Sequence, residues 1–294
     1  MKLKLIVVLL QLLARLPLPM ARAAGCGLGR LLWLLQTREA KVTAFNIGRC
    51  YPQKLPSEVV AAARKSMCHF GRTAFEVPLV WQRDHSWIES RVVAVTGLEY
   101  LAQAKAAQQG VLIIAPHHGN WEFISRWIAG HLPITALYEP PKNPALEPMM
   151  LAGRMRSGAT LLPTNVRGVA GVIKALKRGE AAGILPDQVP PSQSGAFAPL
   201  FGFPAYTMTL IPNLLQKSSA RALFCVALRE GSGWHVHILP AEDSLYSGDQ
   251  AQSLAALNRG VEQCVALAPE QYQWEYKRFK KVPVGAAPFY PRGV

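Results

Sequence analysis

The chain is poor in acid and poor in the spacings that build many protein sites. Of its 294 residues only 18 are Asp or Glu, against 32 Lys and Arg, so the formal net charge is +14. Just four residues are aspartates: Asp84, Asp187, Asp243 and Asp249. Such an excess of base favours anionic partners, whether phospholipid headgroups, phosphorylated substrates, an acidic carrier protein or nucleic acid. The last is set aside, because no helix-turn-helix, zinc-finger or RNA-binding signature accompanies the charge. The five cysteines (Cys26, Cys50, Cys68, Cys225 and Cys264) are scattered and odd in number, and no pair has CxxC spacing. They give no ground for a disulfide framework or a zinc site, and they fit a reducing compartment. HExxH is missing, as is the GxSxG elbow of many hydrolases. Charged residues make up 17% of the chain and hydrophobic ones 50%, which is apolar for a soluble protein but too polar for a multi-span membrane protein.

A long apolar run is also lacking. The N-terminal stretch MKLKLIVVLLQLLARLPLPMARAAGCGLGRLLWLLQ is the most lipophilic part of the sequence. Its charge-free run, Leu5 to Ala14, holds ten residues, where a spanning helix needs roughly 20. Two readings fit. As a secretory signal, Lys2 and Lys4 lead an apolar centre that ends at the small residues ARA. As an anchor, the segment lies at the interface or crosses it with Arg15 snorkelling, and its basic residues meet anionic lipid. The anchor is favoured, since a further apolar block, LLWLLQ, follows the cleavage site a signal would need. Residues 1–38 are therefore read as a membrane-anchoring segment and 39–294 as a catalytic domain.

Beyond it, short apolar strands alternate with helical patterns. NIGRCYPQ within 40–53 reads as a turn-rich connector, and a helix is expected over 56–75, opening at Pro56-Ser57-Glu58. GVLIIAPH, ITALYEP, ATLLPT and AAGILPDQ read as strands, each followed by a helix or loop. Helices are expected near 143–156 and 206–218, with a long loop after Asp187. RALFCVALRE and WHVHILPA read as strands joined by a Gly-Ser-Gly turn. This alternation predicts an α/β fold with a mostly parallel central sheet flanked by helices. Ligands in such folds bind at the carboxyl ends of strands, where His117 and Asp187 both sit.

The chemistry concentrates in VLIIAPHHGNWEF, residues 111–123. If the strand ends near Pro116 and Asn120 caps the next helix, Glu122 lies in the first helical turn. Its carboxylate is then expected to fold back onto the His117 imidazole, fixing the tautomer and leaving the other ring nitrogen as a general base. No protein nucleophile accompanies the pair, so a substrate hydroxyl would attack directly. Two histidines and one carboxylate at this spacing match no standard metal-ligand pattern. The alternative is a capped helix whose histidines satisfy backbone groups. His118 is read as structural.

In the order of these motifs the sequence resembles the lysophospholipid-acyltransferase superfamily, and within it the bacterial lipid A biosynthesis acyltransferases. His117 and Glu122 match the His-x4-Asp/Glu hallmark, with GRMRSGATLLPT (153–164), GVIKALKRGEAAGILPDQ (171–188), GAFAPLFGFPAYT (195–207) and QYQWEYKRFKKVPVG (271–285) following in family order. The resemblance implies a glycerolipid-acyltransferase-like fold and transfer of a fatty acyl group from an acyl carrier protein thioester to a hydroxyl of a lipid A precursor. His117 and Glu122 would be the catalytic pair, with Arg154 and Asp187 in substrate-binding or oxyanion roles. No cofactor or metal is implied. The expected partners are the carrier protein, an anionic glycolipid and the cytoplasmic face of a bacterial inner membrane. Lys277, Arg278, Lys280 and Lys281 are candidate contacts to lipid phosphate or carrier protein. A thioester hydrolase, or a transferase acting on another glycolipid or a lysophospholipid, is the competing reading.

Overall fold

A computed structural model of the protein describes residues 10–139, 141 and 146–294. Lys2, Lys4 and the start of the lipophilic run lie outside the described residues, as does the opening of the helix expected over 143–156. Helices α1 (Leu18–Leu34), α2 (Arg38–Cys50), α3 (Pro56–Gln82) and α4 (His85–Ser90) precede the first strand. Strands and helices then alternate: β1 (Val92–Thr96), α5 (Leu98–Ala106), β2 (Val111–Ile114), α6 (Trp121–Ile128), β3 (Ile134–Tyr138), α7 (Glu147–Met155), β4 (Thr160–Pro163), α8 (Val166–Lys177) and β5 (Ala181–Ile184). A hairpin of β6 (Gly195–Leu200) and β7 (Phe203–Met208) leads into α9 (Leu210–Ser218), β8 (Arg221–Glu230), β9 (Gly233–Pro240) and α10 (Gln250–Leu267).

The central sheet has seven strands in the order β1-β9-β8-β2-β5-β3-β4. Every neighbouring pair is parallel except β8 and β9, so the sheet is mostly parallel as the alternation predicted. Strand β2 lies in the middle, and all four of its side chains are buried. Successive residues of a strand face opposite ways. Leu112 and Ile114 join one core with Phe224 and the inner faces of α8 and α10. Val111 and Ile113 join the other, with Phe123 and Trp127 of α6. An unbroken apolar run is what a strand covered on both faces requires. Phe123 and Trp127 are 0% and 1% exposed; truncating either to alanine should cost about 3–5 kcal/mol.

Three local expectations need correction. Residues 40–50 of the segment read as a turn-rich connector belong to helix α2, because Asn46 is buried and its amide donates to the carbonyls of Trp274 and Tyr276 at 2.7 and 3.0 Å; the turn is confined to 51–54. Residues 195–208, read as loop and helix start, form the β6–β7 hairpin. Phe201 and Gly202 at its turn both have positive φ (50° and 78°), the handedness a two-residue hairpin turn demands. Helix α3 runs to Gln82 rather than 75, with Pro78 inside it.

Helix α1 lies directly on α3. A Cβ on Gly29 would come within 1.9 Å of the Met67 carbonyl oxygen, and one on Gly71 within 1.9 Å of that of Gly25. Only glycine lets the two backbones touch there. Among the described residues no helix is long and apolar enough to cross a membrane. Leu12, Met20, Leu31, Leu34 and Leu35 are nonetheless exposed along this N-terminal stretch.

Candidate functional site

Parallel pairing sets the site. Ile114 of β2 is in register with Ile184 of β5, and Ala115 N–H extends the pairing to the Ile184 carbonyl at 3.0 Å. Each strand then runs on through a proline, Pro116 or Pro186, to a polar residue three positions past that pair. Those residues are His117 and Asp187. Asp187 Oδ2 accepts from the His117 backbone N–H at 2.9 Å, and Oδ1 lies 2.8 Å from the ring Nδ1. Nδ1 is thereby the protonated nitrogen, and Nε2 keeps its lone pair. The Gln188 amide lies 3.2 Å from Nε2 and donates to Gln273 Oε1 at 3.0 Å, an arrangement its two N–H groups can satisfy together. Burial alone would raise the Asp187 carboxyl; electrostatic attraction to the His117 ring and the two hydrogen bonds from that residue outweigh it and hold the group below the ordinary range.

The partner of His117 is therefore Asp187, and Glu122 does not fold back onto the ring. The reason is the helix start. Gly119 takes φ +65°, where a Cβ would meet the Ala227 carbonyl oxygen at 2.1 Å. Asn120 then caps α6, its Oδ1 accepting from Phe123 N–H at 3.0 Å. This turn swings Glu122 towards α3 and α7. Its Oε2 accepts from Trp81 Nε1 at 2.8 Å and from Arg154 Nε at 3.0 Å, and Oε1 accepts from Arg154 Nη2. Glu122 is 4% exposed. Burial pushes its carboxyl up, but the Arg154 charge and hydrogen bonds from Arg154 and Trp81 bring it below the usual carboxylate range. The same pairing outweighs desolvation at Arg154 and raises it. One turn further along α6, Arg126 donates to the Gly153 carbonyl at 2.6 Å and so fastens α7 beside Glu122.

Two cavities meet at His117 and Trp121. One, of about 340 Å³, runs between α3 and the segment 271–275, past Phe70, Ala74, Val77 and Trp81. The other, of about 360 Å³, passes Glu122 and Arg154 and continues between Ile113, Ile134, Gly183 and Leu210. Both are lined mainly by apolar side chains, as long hydrocarbon ligands would need. Glu275, 9% exposed, faces the first cavity, and burial raises its carboxyl to about 7.

Residues 2–281 match the family described as bacterial lipid A biosynthesis acyltransferase. The chain belongs to that family. Its relatives include the lipid A biosynthesis lauroyltransferase of Escherichia coli, 30% identical over 282 residues, which are 94% of this chain and 90% of that protein. The lipid A biosynthesis palmitoleoyltransferase of the same organism is 29% identical over 287 residues, 96% of this chain and 92% of that one. The phosphatidylinositol mannoside acyltransferase of Mycobacterium tuberculosis is 26% identical over 224 residues, 75% of this chain and 70% of that protein.

In this lipid A acyltransferase relative the predicted residues separate into two linked pairs and a surface group. His117 pairs with Asp187, and Glu122 with Arg154, and all but Asp187 line the second cavity. Arg278 does not reach the surface: it is 4% exposed and donates to the Tyr206 carbonyl and to Thr207 Oγ1 at 2.8 and 3.0 Å. Lys280 is exposed and lies 5.1 Å from the Tyr276 ring, while Lys281 sits 3.4 Å from that of Tyr206 and Lys277 5.2 Å from that of Tyr290. His118 is fully buried with Nε2 against the Ala268 carbonyl at 2.9 Å, and burial brings it down to about 4, so it stays neutral. Trp81, Gln188, Gln273 and Glu275 were not singled out from the sequence. Gln188 had a signal, since it follows Asp187 directly at a strand end; Trp81 had none.

Proposed function

We propose that this protein transfers a fatty acyl group from an acyl carrier protein thioester to a hydroxyl of a lipid A precursor, at the cytoplasmic face of the bacterial inner membrane. The observation that carries the chemistry is the Asp187–His117 pair, whose acceptor nitrogen lies where two apolar cavities meet beside the Glu122–Arg154 ion pair. The acceptor hydroxyl displaces the Gln188 N–H from Nε2, and Nε2 takes the hydroxyl proton as the oxygen attacks the thioester carbon. Asp187 holds the imidazolium that forms. Arg154 faces the negative charge that builds on the carbonyl oxygen, and Glu122 fixes the guanidinium in place through its bidentate bond. Collapse of the tetrahedral intermediate breaks the carbon–sulfur bond, and the departing carrier thiolate recovers the proton from Nε2. No acyl-enzyme and no cofactor are invoked. One cavity receives the chain in transit and the other a chain already on the acceptor.

Attachment to the membrane is supported by the exposed Leu12, Met20, Leu31, Leu34 and Leu35 together with the net charge of +14. Lys277, Lys280 and Lys281 remain candidate contacts for lipid phosphate or the acidic carrier protein.

The test is incubation of purified protein with dodecanoyl acyl carrier protein and a Kdo-bearing tetra-acylated lipid A precursor, read by mass spectrometry beside Glu122→Ala. An acceptor that gains one acyl chain with wild type alone supports the reading. Free fatty acid without acylated acceptor makes the protein a thioester hydrolase, and transfer confined to another glycolipid or a lysophospholipid replaces the acceptor.

A further inference from the structure

Packed against the catalytic loop through Gly119 and Asn120 lies a buried cluster of charge that the proposed reaction does not use. Its centre is Glu76 of α3, whose side chain is 0% exposed. Arg229 of β8 donates through Nε to Oε1 and Oε2 at 3.1 and 2.9 Å, and through Nη2 to Thr73 Oγ1 at 2.5 Å. Arg22 of α1 donates through Nε to Oε1 at 2.7 Å. The other two nitrogens of Arg22 reach the carbonyls of Gly231 and Gly233, at 3.0 and 2.8 Å, where β8 turns into β9.

The remaining bond connects this cluster to the site. Asn120 Nδ2 donates to Glu76 Oε2 at 3.1 Å. The same side chain caps α6 through Oδ1, and its backbone N–H donates to the Ala227 carbonyl at 2.9 Å. Asn120 is fully buried, so its amide has no water to turn towards. Glu76 therefore decides which way the amide points: the oxygen at the helix, the nitrogen at the carboxylate. Three residues before Asn120 is His117, and two after it is Glu122. Any rotation of Asn120 releases the α6 cap and moves both groups relative to each other. Thr73 Oγ1, 3.4 Å from the Gly119 carbonyl, holds the same turn from the same helix.

We propose that Glu76 is a positioning residue for the site, and that Arg22 makes its placement depend on α1 being seated against α3. The N-terminal helix is then part of the machinery that sets the catalytic turn, besides any role at the membrane. For its kinetic readout the inference rests on the acyl-transfer reading; its geometric readout does not.

The variants are Arg22→Gln, which leaves the Glu76–Arg229 pair intact, Arg22→Lys, and Glu76→Gln. Two measurements are made on each folded full-length protein. Hydrogen exchange by mass spectrometry compares residues 117–124 with the hairpin 195–208 as an internal control. Steady-state acyl transfer over a range of substrate concentrations gives kcat and KM separately. Misplacement of reacting groups by about 1 Å can cost about 100-fold in rate, so Arg22→Gln should lower kcat by about 10- to 100-fold with KM unchanged within about two-fold. Exchange should quicken in 117–124 and not in the hairpin. Arg22→Lys should recover part of both effects, and Glu76→Gln should exceed Arg22→Gln in both. Arg22→Gln with a lower melting temperature but wild-type exchange in 117–124 would overturn the proposal and leave the cluster a stabilising one. So would a rise in KM at constant kcat. If wild type transfers no acyl group, the acyl-transfer reading fails, and the exchange comparison still decides whether Arg22 sets the turn.

Discussion

An Asp187→Asn substitution keeps the volume of the side chain and takes away its charge. The remaining oxygen can still accept from the His117 backbone N–H, which lies 2.9 Å from Oδ2. The new NH2 then faces Nδ1, 2.8 Å from the oxygen it replaces. Two donors cannot share that gap, so the ring must move its proton to Nε2, where the Gln188 amide turns its oxygen to accept it. The nitrogen that meets the cavities then has no lone pair for a hydroxyl proton. General-base assistance contributes about 10²–10⁴-fold, and the same change in a Ser-His-Asp triad costs about 10⁴. The expected loss in kcat is about 10³–10⁴-fold, or about 4–5 kcal/mol at 1.36 kcal/mol per decade. Stability carries a second signature. The Asp187 carboxyl lies below its ordinary value in the fold, so it stabilises the native state above about pH 4, and that contribution is lost as pH falls through the folded value. Asparagine has no such term. The melting-temperature gap between wild type and variant should be widest near neutrality and close below about pH 4. Single-turnover transfer read by mass spectrometry gives the rate, and thermal denaturation from pH 7 downwards gives the gap. A folded Asp187→Asn protein within ten-fold of wild-type kcat would refute the tautomer argument.

Other consequences are open to direct measurement. Glu122→Gln leaves the Arg154 guanidinium without its bidentate carboxylate; kcat should drop by about 10²–10³-fold, and a double-mutant cycle with Arg154→Ala should show coupling above about 0.5 kcal/mol, strict additivity counting against a shared role. At Gly183 an added Cβ would sit an ordinary 3.5 Å from Ile134 Cδ1, so Gly183→Leu can fold but must fill part of the second cavity. Competition between donors of different length should then favour shorter chains, by about 0.8 kcal/mol per methylene excluded; an unchanged preference would place the chain elsewhere. Lys280→Glu with Lys281→Glu should raise KM and flatten the salt dependence of kcat/KM while leaving the melting temperature within a few degrees. Arg278→Leu, which takes one donor from the buried Tyr206 carbonyl and one from the Thr207 hydroxyl, should instead lower the melting temperature.

The strands that carry the site could be read directly because burial on both faces writes itself as an apolar run: VLII and the segments like it leave few other options. The cap at Asn120 and the first-turn place of Glu122 were legible for the same local reason, an Asx residue just ahead of a helical pattern. What was hidden lay in partners distant in sequence. Asn46 looks like a turn former until Trp274 and Tyr276 supply the carbonyls that let it sit inside α2. Pro199 and Pro204 argue against strands, yet they oppose each other across a short hairpin, where neither breaks a larger sheet. The pairing of His117 with Asp187 was visible only as an echo, two strands each ending in proline and a polar residue, because register between β2 and β5 is a tertiary fact. Nearness in sequence favoured Glu122, and nearness in space favoured the residue 70 positions on.

The order of the strands also bears on how the protein is made. The central strand β2 pairs with β5 and β8, and the turn beyond it is closed by Gln273 N–H on the His117 carbonyl at 3.0 Å. At roughly 5–20 residues per second, about 6–23 s separate the synthesis of His117 from that of Glu230, where β8 ends. For that interval the nascent chain carries an apolar strand with open edges, the kind of segment that aggregates. Chains stopped after β7, which hold both halves of the His117–Asp187 pair but not β8, should therefore be insoluble as well as inactive, and a pelleting assay on such truncations would measure it.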